Sequence, residues 1–218
     1  MPEFSRIFLA NSLVRLEKSE RTHERKLKML PIPDRVQAVL DAYFQLLDSK
    51  LLNFLEAYYI YGSISLGAFT KNYSDIDFVA IVKQEITADK LALLKEIHLE
   101  IQQRFPKRIL DGKYITSADM QQVNHGEQSY CYFNEGKYRG VRQFNKNSID
   151  AYQLKVHGIA VKGQESNKLD YTIDWDILLH DMKGNLNYYW VNWRNKCERF
   201  LTVSYIGLFC SGKMAQDH

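Results

Sequence analysis

Between Asp34 and Lys50 the apolar residues Val36, Val39, Leu40, Tyr43, Leu46 and Leu47 recur at intervals of three and four, the repeat of a helix that buries one face. Asp34, directly after Pro33, is the expected N-cap. The next stretch, "LEAYYIYG", changes to an aromatic and β-branched character and predicts a strand ending at Gly62. A second apolar run, Phe78 to Val82, predicts a central strand covered on both sides. Thr87 then caps a helix to about Phe105, with Leu91, Leu94, Ile97 and Ile101 on one side and Pro106 as its stop. "RILDGKYI", residues 108–115, predicts a further strand. Ser117 to Asn147 is polar and rich in tyrosine and glycine, and the runs Tyr130–Phe133 and Tyr138–Val141 predict a hairpin or meander. Ile149 to Val156 predicts a helix, "HGIAVKG" a short extended segment between glycines, and Trp175 to Phe209 a mostly helical stretch broken at Gly184. The pattern therefore changes near residue 150, from an α+β first part, 1–150, to a helical second part, 151–218. Residues 1–33 form an N-terminal extension, in which the mixed charges of Arg15–Lys28 have the composition of a solvated helix face.

Composition narrows the class. A chain of 218 residues, 45% hydrophobic and 25% charged, can bury one substantial core or two modest ones. No apolar run approaches the roughly 20 residues of a membrane span. The short apolar patch Ile7–Ala10 lacks the flanks of a secretory signal, so the expectation is a soluble cytoplasmic protein. Cys131, Cys197 and Cys210 form no CxxC pair, and the histidines no HxxxH or HExxH, which leaves carboxylates as ligands for any metal and favours a hard ion such as magnesium. A formal net charge of +3 gives no case for a nucleic-acid partner.

The chemistry concentrates in "YIYGSISLGAFTKNYSDIDFVAIV", Tyr59 to Val82. Residues two apart on a strand share a face, so Asp75 and Asp77 project together and Ile76 points the other way. Paired carboxylates at the end of a buried strand need counter-charge, which a divalent cation supplies. Gly62-Ser63 follows a strand directly, and a helix beginning at Ser63 would offer free backbone N–H groups to phosphate. A phosphate-binding turn beside metal-binding acids is the equipment for moving a nucleotide from Mg²⁺-ATP. Gly62 to Gly67 also has the GxxxxG spacing of a P-loop, but Ala68-Phe69 stands where Lys and Ser or Thr are required. Asp-Ile-Asp as a solvated strand terminus is the plain alternative.

The strand, Gly-Ser, spacer and Ser-Asp-Ile-Asp pattern resembles the nucleotidyltransferase superfamily signature, and "YGSISLGAF…YSDIDFVAIV" is especially similar to the aminoglycoside adenylyltransferases acting on streptomycin and spectinomycin. "VHGIAVKG" and "RFLTVSYIGLFCSGKMAQD" resemble further segments of that family, the latter the start of its C-terminal helices, and the chain ends soon after it at His218, which implies a shortened helical region. The resemblance implies a polymerase-beta-like mixed sheet flanked by helices, then a helical substrate-binding part, with ATP and drug between them. It places Gly62, Ser63 and Ser74 at the triphosphate and Asp75 and Asp77 on Mg²⁺. It puts the family's general base at Asp111, where close relatives carry glutamate, with Glu127 and Glu135 as other candidates.

For a cationic acceptor the segment Glu165–Asp181 offers Glu165, Asp170, Asp174, Asp176 and Asp181 against Lys168. "NYYWVNW" offers Tyr188, Tyr189, Trp190 and Trp193, which could stack on sugar rings or, at helical spacing, pack in a core. The expected reaction is transfer of AMP from ATP to a hydroxyl of an aminoglycoside-like molecule, releasing pyrophosphate. Transfer to a protein or RNA acceptor and a non-catalytic nucleotide-binding relative are the rival readings, and a homodimer could supply the missing helices.

Overall fold

The computed structural model describes residues 32–197 except 72, 108 and 122–128. Its frame is one six-stranded mixed sheet in the order β5-β4-β3-β2-β1-β6. Helix α1 (Asp34–Lys50) leads into β1 (Leu55–Ile60) and β2 (Ile76–Val82), which pair antiparallel. Helix α2 (Ala88–Arg104) crosses over to β3 (Leu110–Thr116), which lies parallel to β2. A short helix α3 (Ser117–Gln121) precedes the hairpin β4 (Ser129–Asn134) and β5 (Lys137–Gln143). Helix α4 (Ile149–His157) then returns the chain to β6 (Ile159–Lys162), which adds to the outer side of β1. Helix α5 (Trp175–Asn185) follows, continuing through a π-helical turn at Leu186–Trp190 to residue 197. The architecture is α+β, with a helical C-terminal part.

The helical period read from the sequence holds in α1, whose six expected apolar residues are all buried. Pro33 rather than Asp34 occupies the N-cap, because Val36 and Gln37 donate their N–H groups to the Pro33 carbonyl, and Asp34 lies in the first turn, where its charge suits the helix dipole. Thr87 caps α2 by accepting from the Lys90 N–H. Gly184 does not break α5. A Cβ there would meet nothing within 4 Å, and the irregularity falls on the wide turn that follows. Tyr188 and Trp193 are exposed, 77% and 54%, so these two aromatics are not core residues. Arg15–Lys28, Glu127, Cys210 and the "RFLTVSYIGLFCSGKMAQD" segment lie outside the described residues.

Alternation along the strands divides the core in two. One face carries Tyr58, Ile60, Phe78, Ala80 and Tyr114 against α1 and α2. The other carries Tyr59, Val79, Ile81 and Ile115 against α4 and the Leu169–Tyr171 segment. Helix α4 is tied to that segment by Lys155, which donates to the carbonyls of Leu169 and Tyr171, and by the Tyr171 hydroxyl, which donates to the Ala151 carbonyl at 2.7 Å.

The first core contains a polar chain. His98 Nε2 lies 2.8 Å from the Tyr114 hydroxyl, which lies 2.8 Å from that of Tyr43, while the imidazole stacks on Phe133 with centroids 4.0 Å apart. Burial lowers the His98 pKa from 6.5 to about 3. The neutral ring is thus compatible with folding and the imidazolium is not, so this group withdraws stability as pH falls below 6.5, by about 2 kcal/mol at pH 5. His98→Gln retains a polar atom near Tyr114 but does not titrate. The difference in melting temperature, variant minus wild type, should rise between pH 7.5 and pH 5, and a flat difference would show that His98 is not held neutral.

Candidate active site

The Gly62–Gly67 segment forms a run of turns and not the regular helix expected from Ser63. Gly62 takes φ +68°, a left-handed conformation that glycine adopts without strain. Its carbonyl accepts the Leu66 N–H at 3.1 Å and the Ser65 hydroxyl at 3.1 Å, and Ala68 N–H closes on the Ser63 carbonyl at 2.8 Å. Ile64 anchors the turn in the first core. The glycine is required for a second reason: a Cβ at Gly62 would lie 2.2 Å from Asp77 Oδ2. The turn is therefore packed directly against the second aspartate of the motif. Ser74 closes the following loop, its Oγ accepting the Thr70 N–H at 2.9 Å.

Asp75 immediately precedes β2 and Asp77 is its second residue. Across the parallel ladder Asp77 is the partner of Asp111, itself the second residue of β3. The base candidate is thus a strand residue adjacent to Asp77, on the same face, as the strand predicted over 108–115 implies. Gly112 and Lys113, poor strand formers by composition, lie inside β3 and are largely buried.

Asn134 Nδ2 donates to Asp111 Oδ2 at 2.8 Å, and Gly136 N–H donates to Oδ1 at 3.4 Å. Both come from the end of the β4–β5 hairpin, whose connecting residues Glu135 and Gly136 have φ +53° and +68°. The hairpin was expected, but its register, which delivers Asn134 to Asp111, was not legible. Glu135, the alternative base, pairs with Arg139 at 2.6 Å on the exposed hairpin tip.

Electrostatics reflect the crowding of acids. Burial, followed by the charges of Asp111, Asp150 and Asp75, pushes Asp77 up to about 6, with Lys113 opposing. Burial and then Glu135 raise Asp75. Burial and then Asp75 raise Asp111, against the hydrogen bonds from Gly136, Glu135 and Asn134. Two of these participants, Asp150 and Lys113, were missed in the sequence. Asp150 falls there within the predicted helix from Ile149 and Lys113 within the predicted strand 108–115, and nothing local marks either. In the structure they form a 2.7 Å ion pair.

The donor set fits a hard divalent cation: Asp75 and Asp77 offer only carboxylate oxygens, and Asp77 sits half-buried among other acids. Among the described residues no group of three His, Cys, Asp or Glu side chains forms a ready-made cage. A divalent ion such as magnesium would need no such cage, since it takes one or two carboxylates and completes its shell with water and substrate phosphate. The acidic Glu165–Asp181 segment is partly engaged in structure, since Asp174 caps α5 by accepting from Asp176 and Ile177 N–H. A cavity of about 320 Å³ lined by Glu56, Tyr59, Ser117 and Asp170 lies toward the other end of β1 from Gly62, away from the carboxylates.

Residues 45–111 match the family model described as nucleotidyltransferase domain. That span runs from α1 to Asp111 and includes Gly62, Ser63, Asp75 and Asp77.

The structure is similar to spectinomycin adenyltransferase AAD(9) from Enterococcus faecialis, solved with ATP and spectinomycin, with TM-score 0.55 and 19% identity over 68% of this chain. The chain spans 65% of the length of that enzyme. A toxin-antitoxin solved with AMP-PNP is also similar, at TM-score 0.33 and 13% identity over 76% of this chain and 96% of that one. No curated protein matches. Among the described residues, no helix is long and apolar enough to cross a membrane.

Proposed function

We propose that the protein transfers AMP from ATP, with Mg²⁺, to a hydroxyl of an aminoglycoside-like small molecule and releases pyrophosphate. The observation that carries this is the register of Asp77 with Asp111 on adjacent parallel strands, with the Gly62 turn packed on Asp77. In this reading Asp75 and Asp77 hold the cation, which when bound neutralises triphosphate charge and polarises the α-phosphate. The Gly62-Ser63 turn seats the phosphates, and at Gly62 no side chain intervenes between backbone and anion.

Asp111 accepts the proton of the acceptor hydroxyl. The acceptor oxygen forms a bond to the α-phosphorus while the bond from that phosphorus to pyrophosphate breaks, and the electron pair leaves with pyrophosphate. Asn134 and the Gly136 N–H hold the Asp111 carboxylate in one orientation, so it need not be ordered during reaction. Its raised pKa makes it a stronger base than a solvated aspartate. The presence of Asp75, Asp77 and Asp111 together favours a working enzyme over a non-catalytic relative.

The test is mass spectrometry of an aminoglycoside panel including streptomycin and spectinomycin after incubation with protein, ATP and Mg²⁺. One compound should gain the mass of one AMP, and Asp111→Asn should slow that gain by about 10²-fold or more. No gain on any compound, while Mg²⁺-ATP still binds, would overturn the acceptor assignment.

A further inference from the structure

Lys113 and Asp150 are charged residues of the catalytic face to which the transfer step assigns no task. A lysine inside a strand is an expensive placement unless its charge is matched. Lys113 is 9% exposed, its Nζ donates to Asp150 Oδ2 at 2.7 Å, and the ammonium lies 5.6 Å from the ring centres of both Tyr61 and Tyr130. One carboxylate and two aromatic faces thus satisfy it, as for a wall that orients something else.

Asp150 is placed differently. Its side chain is 48% exposed, and among the described residues Oδ1 takes no hydrogen bond. The charge of Asp150 is felt by Asp77, more strongly than that of Asp75, and also by Tyr61, Tyr130 and Tyr132. Lys113 lies two residues beyond Asp111 on β3 and so shares its face, which places the paired Asp150 on the side of the sheet that carries Asp77 and Asp111. Ser148 caps α4 by accepting the Ala151 N–H at 3.2 Å, which fixes the turn that bears Asp150. A carboxylate already paired with an ammonium attracts a second cation weakly, but its unused oxygen remains a strong acceptor for a neutral O–H.

We propose that Asp150, locked by Lys113, orients the acceptor, with Oδ1 accepting a hydrogen bond from a hydroxyl next to the one that reacts. The acceptor class that fits is a polyhydroxylated ring with neighbouring hydroxyls, of which one donates to Asp150 and the other to Asp111. This rests on the nucleotidyl-transfer reading of the same cleft. Asp150 binds substrate, and Lys113 acts through it as a positioning residue.

The experiment is steady-state kinetics on whichever panel compound gains AMP. Asp150→Asn should raise the acceptor KM about tenfold or more while the KM for ATP stays within about threefold. Lys113→Met should move the acceptor KM in the same direction, Lys113→Arg should restore most of it, and the double variant should be no worse than Asp150→Asn. Should Asp150→Asn fold poorly, Asp150→Glu reports the same rise, because it keeps the charge and displaces the oxygen. An acceptor KM equal to wild type, or equal rises in both KM values, would overturn the proposal and leave the transfer reading standing. Failure of the wild type itself to modify any compound would overturn both.

Discussion

Asp77→Asn is expected to abolish AMP transfer, by about 10³-fold or more, and at the same time to raise the melting temperature of the metal-free protein. Activity falls because the amide cannot supply the negative charge that holds the cation beside Gly62. Stability rises because Asp77 is a liability to the fold when no cation is present. Its pKa is pushed up to about 6 by burial among Asp111, Asp150 and Asp75, above the ordinary 3.8, so the folded state holds a proton that the unfolded state has released. The metal-free wild type should therefore gain stability from this group as pH falls from about 7 toward 4, and lose that contribution as pH rises through 6. Asparagine is neutral throughout, and since Asp77 is partly exposed the gain at pH 7.5 should be about 1–2 kcal/mol, or about 3–6 °C in melting temperature. Thermal unfolding in chelator at pH 5 and pH 7.5 checks this. An Asn variant that melts below wild type at pH 7.5 would show that the carboxylate is not held against its preference.

Gly112→Ala is expected to destabilise the protein by about 3 kcal/mol or more, although the change adds one methyl group. That methyl would sit 2.4 Å from the Phe78 carbonyl oxygen and 2.5 Å from its ring. Neither can yield. Phe78 is fully buried, stacked on Tyr58 at 5.1 Å and on His98 at 6.0 Å, and its backbone faces Gly112 in the β2–β3 ladder. Relief would require β2 and β3 to separate, which would also part Asp77 from Asp111. The variant should thus lose both melting temperature, by about 6–12 °C, and activity. Denaturation of Gly112→Ala within about 1 kcal/mol of wild type would mean that the two strands are less closely apposed than described.

These two residues also show where the sequence was readable. Asp77 stood out because two acids one residue apart, at the head of an apolar run and downstream of Gly-Ser, repel each other at a cost that a bound cation relieves. The helices α1 and α2 were legible from their period, and β1 and β2 from their aromatic and β-branched content. Asp111 was harder, although the run 108–115 predicts a strand, because close relatives carry glutamate there and Gly112 and Lys113 are poor strand formers. Gly112 is there to admit the Phe78 ring, and Lys113 is there with a counter-ion 37 positions away in the chain. Asp150 was hidden for a related reason: in a helix capped by Ser148, an acid in the first turn is already accounted for by the helix dipole. The site residues that were missed depend on partners distant in sequence, to which local pattern is blind.

Strand β6 pairs with β1 although β2 to β5 and three helices lie between them in the chain. During synthesis the outer edge of β1 therefore stays open until Lys162 has emerged, long after the carboxylate-bearing strands are available to pair. An uncovered strand edge is a template for another chain. A fragment ending at residue 150 would contain Gly62, Asp75, Asp77 and Asp111 but leave that edge bare, making it prone to self-association.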